Sequence, residues 1–119
     1  MTDNEITRDF FAAYTRALLD RDAAAIAGHY AVPALIAFPD QSIAVSDAAQ
    51  TEQFFAGAFQ QYEGVTTAEP LVTIVAETVH SIWADVTWIY DTVDPERNMY
   101  QLVLAGGRWR IAVLTPLGD

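Results

Sequence analysis

Two histidines, five tyrosines and a surplus of carboxylates are the side chains of this sequence able to hold or move a proton. Imidazole is the side chain best suited to exchange protons near neutral pH, and His80 stands two residues before Ile82 in an alternating apolar segment, so period-2 parity points it inward. It is therefore a candidate acid or base, the plainer alternative being a histidine on a strand's rim. His29 closes a short alanine-rich stretch, where its positive form would meet the C-terminal dipole of a helix. Joining His29 and His80 to a carboxylate would need ligand spacing that neither neighbourhood has, so no metal is expected. Arg110 shares parity with Ala112 and Leu114 and would bind a ligand carboxylate if that face lines a pocket; pairing with the chain's own carboxylates is the alternative. There is no glycine-rich phosphate loop, no Gly-x-Ser-x-Gly elbow and no pair of carboxylates at glycosidase-like spacing. Nucleotide cofactors and hydrolase triads have no support, and no cofactor is expected.

The 119 residues make one domain, 1–119, able to bury roughly two-thirds of its unfolded surface. Six basic against sixteen acidic residues give 6 − 16 = −10, which disfavours nucleic acid as a partner. No apolar run approaches the ~18 residues of a membrane span, and Met1 to Arg8 is polar without an apolar signal core, so no membrane association and a cytoplasmic location are expected. The chain has no cysteine, which removes disulfides, thiolate nucleophiles and zinc-thiolate sites.

The elements that would position these residues change period near Thr66. Before it, Ile6, Phe10, Tyr14, Ala17 and Leu18, flanked by Phe11, follow a Thr2-Asp3-Asn4-Glu5 capping box and predict a helix of about four turns. Asp22 caps a short second helix over Ala23 to Ala27 that ends before Pro33. The run Ala34 to Phe38, stopped by Pro39-Asp40 and resumed at Ile43 to Val45, reads as a bent strand or small hairpin. Ser46 opens a third helix with Phe54, Phe55, Ala58, Phe59 and Tyr62 as its stripe, released at Gly64. After Thr66, Leu71–Ala76, Val79–Asp91, Asn98–Ala105 and Arg108–Thr115 read as four strands joined by Glu77-Thr78, Asp94-Pro95-Glu96 and Gly106-Gly107. Short turns between consecutive strands predict an antiparallel meander, and helices followed by strands predict an α+β fold. On the second strand Ile82, Ala84, Val86, Trp88 and Tyr90 share the interior face. On the last, Trp109, Ile111 and Val113 compete for it with Ala112 and Leu114.

The stretch Tyr14-Thr-Arg-Ala-Leu-Leu-Asp-Arg-Asp22, followed by Ala-Ala-Ile26, His29-Tyr30-Ala31 and Pro39, resembles the opening of the nuclear transport factor 2-like superfamily, nearest its SnoaL-like and ketosteroid isomerase-like branches. Gly107-Arg-Trp109-Arg-Ile111 resembles that superfamily's last strand. The resemblance implies a cone: a curved antiparallel sheet wrapped around the N-terminal helices, with an apolar pocket at one end and dimerisation through the sheet. It places Ala112 and Leu114 inside and Trp109 at a subunit interface. It also implies that Tyr14 stabilises an enolate and that Tyr100 stands where those isomerases keep a second donor, with Gln101 next to it. Their general base matches Phe38, which takes no proton; Asp40, two residues on, is either a displaced base or an exposed turn residue. Since a positioned base is worth about 10²- to 10⁴-fold, ketosteroid isomerisation by that mechanism is disfavoured.

Three functions follow from that shape. The first is a binding module for a small apolar or phenolic ligand, walled by Tyr14, Phe38, Phe54, Val86, Trp88, Tyr90, Tyr100 and Leu102, with Arg110 as a further ligand contact. The second is a cofactor-independent isomerase, cyclase or dehydratase acting on a small apolar carbonyl compound, with His80 or Asp40 moving the proton. The third is a dimeric interaction domain with a vestigial pocket. A homodimer through the outer sheet face is expected because the last strands carry more apolar surface than one helix layer covers.

Overall fold

The computed structural model describes residues 3–38 and 40–118, so Thr2 of the expected capping box and Pro39 of the expected turn lie outside the described residues. Helix α1 (Asp3–Leu19) buries Thr7, Phe11, Tyr14 and Ala17. Its stripe is rotated from the expected one: Phe11 sits in the core, and Ile6, Phe10 and Leu18 border it. The cause is the sheet beneath, where Phe11 meets the rings of Trp88 and Tyr100 edge-on at 6.2 and 5.1 Å. The chain reverses at Arg21, whose φ is 55°, and Asp22 then caps α2 (Ala23–Gly28) by accepting from the Ala25 N–H.

Strands β1 (Tyr30–Ala37) and β2 (Ser42–Val45) form a hairpin. Helix α3 (Ala48–Ala58) is capped by Asp47 rather than Ser46, because Gln50, three residues after Asp47, completes a reciprocal capping box with it. A short 3-10 helix, Phe59–Tyr62, continues it and carries the aromatic residues of its second half. Four strands follow as an antiparallel meander: β3 (Ala68–Glu77), β4 (Ser81–Tyr90), β5 (Glu96–Ala105) and β6 (Arg108–Pro116). Gly106 and Gly107, at φ 60° and 77°, make the two-residue turn before β6 that only positive φ allows.

The fold is α+β, a curved, open six-stranded sheet with the N-terminal helices against it. Its order is β2-β1-β6-β5-β4-β3, and β1 runs parallel to β6, so the sheet is mixed rather than wholly antiparallel. No turn joins β1 to β6, and the direction of that pairing is set by where α2 delivers the chain rather than by a hairpin. Among the described residues no helix is long and apolar enough to cross a membrane.

Two local features decide which side chains face inward. In β6, Leu102 pairs with Ile111 and Gln101 with Val113, leaving Ala112 as a bulge. The bulge reverses parity, so Ile111 and Leu114 are both buried, and neither of the two competing rows runs the full strand. Trp109 is half-buried and packs against the core. At the other end of the meander β4 starts only at Ser81. Val79 and His80 form an exposed bend closed by the Thr78 N–H donating to the Ser81 carbonyl, so strand parity does not govern His80. Within β4, Ile82, Ala84, Val86 and Trp88 are buried while Trp83 and Ile89 face out.

Candidate functional site

The curved sheet, α1 and the α3 region enclose a cavity of about 380 Å³ at the Trp88 end of β4. Strand pairing sets Trp88 opposite Glu96, and the alternation of β5 brings Glu96, Asn98 and Tyr100 to the same inner row. Tyr14 and Leu18 come from α1, Phe38 from the end of β1, and Phe54, Phe55, Phe59 and Tyr62 from α3 and the 3-10 helix. Phe38 and Phe54 lie with ring centroids 5.9 Å apart, Tyr62 and Tyr90 at 5.5 Å. The wall is largely aromatic, and β5 adds the polar groups of Glu96, Asn98 and Tyr100 to it.

Around Tyr100 the hydrogen bonds have a direction. An indole N–H can only donate, so the Tyr100 oxygen accepts from Trp88 Nε1 at 3.0 Å; it also accepts from Asn98 Nδ2 at 3.2 Å. The Tyr100 proton is then left for Tyr14 or for a bound molecule. Burial pushes the Tyr100 hydroxyl up to about 12, while the Asn98 and Trp88 donors pull the other way. Tyr14 shares a 2.7 Å hydrogen bond with Tyr30, and burial, reinforced by Tyr30, raises it well above the usual phenol range. Burial likewise raises Tyr62 and Tyr90, and the neighbouring Glu96 carboxylate adds to the effect. All these phenols are protonated donors at neutral pH. Arg21, also on the wall, directs Nη1 at the carbonyls of Leu18 and Leu19 and Nη2 at those of Tyr62 and Val65, all between 2.8 and 3.2 Å.

Of the residues singled out in the sequence, Tyr14, Phe38, Phe54, Trp88, Tyr90 and Tyr100 line the cavity. Val86 and Leu102 are fully buried in the core and do not. Arg110 stands on the outer side, because its neighbour Ile111 is the buried one and the bulge confines the Ala112–Leu114 parity to the strand's end. Asp40 is exposed in the bend after β1 and away from the lining. His80 lies at the opposite end of β4 from Trp88, about 26 Å along the strand at ~3.3 Å per residue. Neither Asp40 nor His80 is placed to exchange a proton with a molecule in the cavity. His29 uses Nδ1 on the Ala25 carbonyl at 2.8 Å and packs edge-on against Phe10 and Tyr14. Among the described residues no three His, Asp or Glu side chains converge as metal ligands.

Sequence reasoning missed Glu96, Asn98, Tyr30 and Arg21. The first two carried a readable signal, since they continue the row of Tyr100 at two-residue spacing; assigning Glu96 to a turn hid it.

Comparison with known proteins agrees with this architecture. A family described as NTF2-like protein (DUF6841) matches residues 3–119. No curated protein matches the sequence significantly. Among solved structures, an NTF2-like protein from Cytophaga hutchinsonii superposes with a TM-score of 0.75 at 12% identity, covering 100% of both chains. A function-unknown protein from Mycobacterium tuberculosis gives a TM-score of 0.73 at 15% identity over 95% of this chain and 69% of its own. A de novo designed protein with a curved β-sheet gives 0.70 at 12% identity over 98% and 100%. At such identities the likeness is one of fold, and the family match carries the assignment: the chain belongs to the NTF2-like family DUF6841.

Proposed function

We propose that the chain binds a small, mostly apolar or phenolic molecule in this cavity, with the molecule's oxygen toward Tyr100. The observation that carries the reading is a space of about 380 Å³, within the range of small-molecule pockets, whose aromatic wall includes the Tyr100 hydroxyl. A proximity to the SnoaL-like and ketosteroid isomerase-like branches and a cytoplasmic location belong to the same proposal; the first is supported by Tyr14 and Tyr100 at the wall. In a titration followed by tryptophan fluorescence, p-cresol should bind more tightly than toluene. Tyr100→Phe should weaken p-cresol by roughly 2- to 12-fold, one neutral hydrogen bond, and leave toluene unchanged. Equal loss for both ligands would remove Tyr100 as the polar contact.

A second reading, a cofactor-independent isomerase, cyclase or dehydratase, is favoured by one observation: Glu96 puts a carboxylate in the cavity on the strand that carries Tyr100. Glu96 then takes the proton-moving part expected of His80 or Asp40, and Tyr100 the donor part.

We also propose a homodimer through the outer sheet face. Leu71, Trp83 and Ile89 lie exposed there, around the ion pair of Asp85 with Arg97. Light scattering at micromolar concentration should give twice the chain mass, the more so at higher salt because each chain carries −10. A monomer under both conditions would remove the proposal.

A further inference from the structure

The cavity wall carries two ionised side chains, Glu96 and Arg21, and neither is in an ion pair among the described residues. All six basic residues of the chain are arginines. Arg8 pairs with Asp9 and Arg97 with Asp85, both away from the cavity. Glu96 shares the lining with the hydroxyl-bearing Tyr62 and Tyr90 instead. Hydroxyls satisfy a carboxylate's lone pairs and leave its charge in place.

Arg21 is the cation on the same wall, and its hydrogen bonding decides what it offers a ligand. A guanidinium has five N–H groups, two on each terminal nitrogen and one on Nε. Here each terminal nitrogen serves two backbone carbonyls, so no pair of N–H groups remains for the bidentate grip by which arginine holds a carboxylate or phosphate. The Arg21 charge remains, but its terminal N–H groups are held by the backbone, so the ionised group left open to a ligand's charged end is the Glu96 carboxylate. Around it stand electron-rich ring faces, which attract an organic cation through their quadrupoles.

We infer that the cavity is a site for an organic ammonium ion, a hydrophobic amine or quaternary amine whose charged end meets Glu96 and whose apolar body lies among Trp88, Tyr62, Tyr90 and Phe59. The inference rests on the cavity reading above and names the class of its ligand. Zwitterions and anions are poor fits, because Arg21 is already occupied. The strongly acidic surface works in the same sense, raising the local concentration of cations over that of anions.

The test compares two molecules of nearly equal shape, phenyltrimethylammonium and tert-butylbenzene, titrated into the intact protein with tryptophan fluorescence as readout. The ammonium carries its charge at every pH, so only the protein's groups vary. It should bind at least tenfold more tightly than the hydrocarbon. Glu96→Gln should bring the two within about threefold while leaving tert-butylbenzene unchanged. Asp94→Asn, an exposed turn residue outside the cavity lining, should keep the full preference. Equal binding of the two molecules by the unaltered protein overturns the inference and leaves the cavity reading standing; binding of neither overturns the cavity reading itself. Equal losses in Glu96→Gln and Asp94→Asn would assign the preference to overall charge and also overturn it. If Glu96→Gln fails to fold by circular dichroism, the comparison in the unaltered protein decides alone.

Discussion

Arg21→Ala should lower the free energy of unfolding by about 2 to 4 kcal/mol. A hydrogen bond to a charged group contributes roughly 1.5 to 3 kcal/mol, and this guanidinium makes four. The four share one half-buried side chain, so they do not add in full. What they join explains the size of the effect. Two carbonyls belong to the last turn of α1 and two to the chain leaving the 3-10 helix, more than forty residues away by the separations of 41 and 44. Alanine takes the side-chain donor from all four carbonyls, of which those of Leu18 and Tyr62 keep a backbone N–H, and unties the α1 end from one wall of the cavity. Arg21→Lys should recover less than half of the loss, since one ammonium has three N–H groups and no planar fork. Arg21→Gly should be milder than alanine by about 1 kcal/mol, because the residue holds φ 55°, where a Cβ costs roughly that much. Urea denaturation checks the series: the midpoint should fall with little change in slope. A loss below about 1 kcal/mol for alanine would mean that water replaces the guanidinium without penalty.

Trp88→Ala should cost more, about 3 to 5 kcal/mol, the range for removing a large buried aromatic side chain. Trp88 is 1% exposed, packs against Phe11 and Tyr14 with centroids 6.2 and 6.0 Å away, and gives its indole N–H to Tyr100. Its removal opens the core into the cavity and takes one of the two donors from the Tyr100 oxygen. Trp88→Phe separates the contributions, keeping a ring and losing the donor, and should cost well under half as much. Trp83→Ala, at 37% exposure on the outer face of the same strand, should fall near 1 kcal/mol or less. If Trp83 and Trp88 prove equally costly, the inner face of β4 is not where the stability lies.

The alternation in β4 made the interior row from Ile82 to Trp88 legible from sequence, because an uninterrupted strand has a strict period of two. The turn at Gly106-Gly107 was legible for an equally local reason, the rarity of positive φ outside glycine. What escaped was non-local or irregular. The parallel pairing of β1 with β6 leaves no mark in either strand. The bulge at Ala112 converts two conflicting apolar rows into successive halves of one inner face, a solution invisible to a parity argument that assumes a single register. His80 was misplaced for the complementary reason, since its bend lies just outside the strand whose parity was applied to it. In the candidate site the aromatic wall was readable as bulk and spacing, whereas Glu96 was hidden behind Pro95, read as part of a turn. Tyr30 and Arg21 find their partners 16 and more than 40 residues away, beyond any local pattern.

The open sheet ends at β2 on one side and β3 on the other, and the two edges are protected differently. β2 spans only Ser42–Val45, too short to template a further strand. β3 is ten residues long, the greater hazard, yet Pro70 removes one backbone donor, Glu69 and Glu77 put charge near each end, and the register shift between Ile74 and Ala76 breaks the regular hydrogen-bond row. Such an edge resists growth by strand addition, so fibril-like stacking is discouraged even though Leu71 and Val75 of the same strand are exposed. Edges protected in this way leave the proposed dimer to form by side-chain contact across the face of the sheet, a closed arrangement, and disfavour the open-ended growth that backbone pairing at the rim would give.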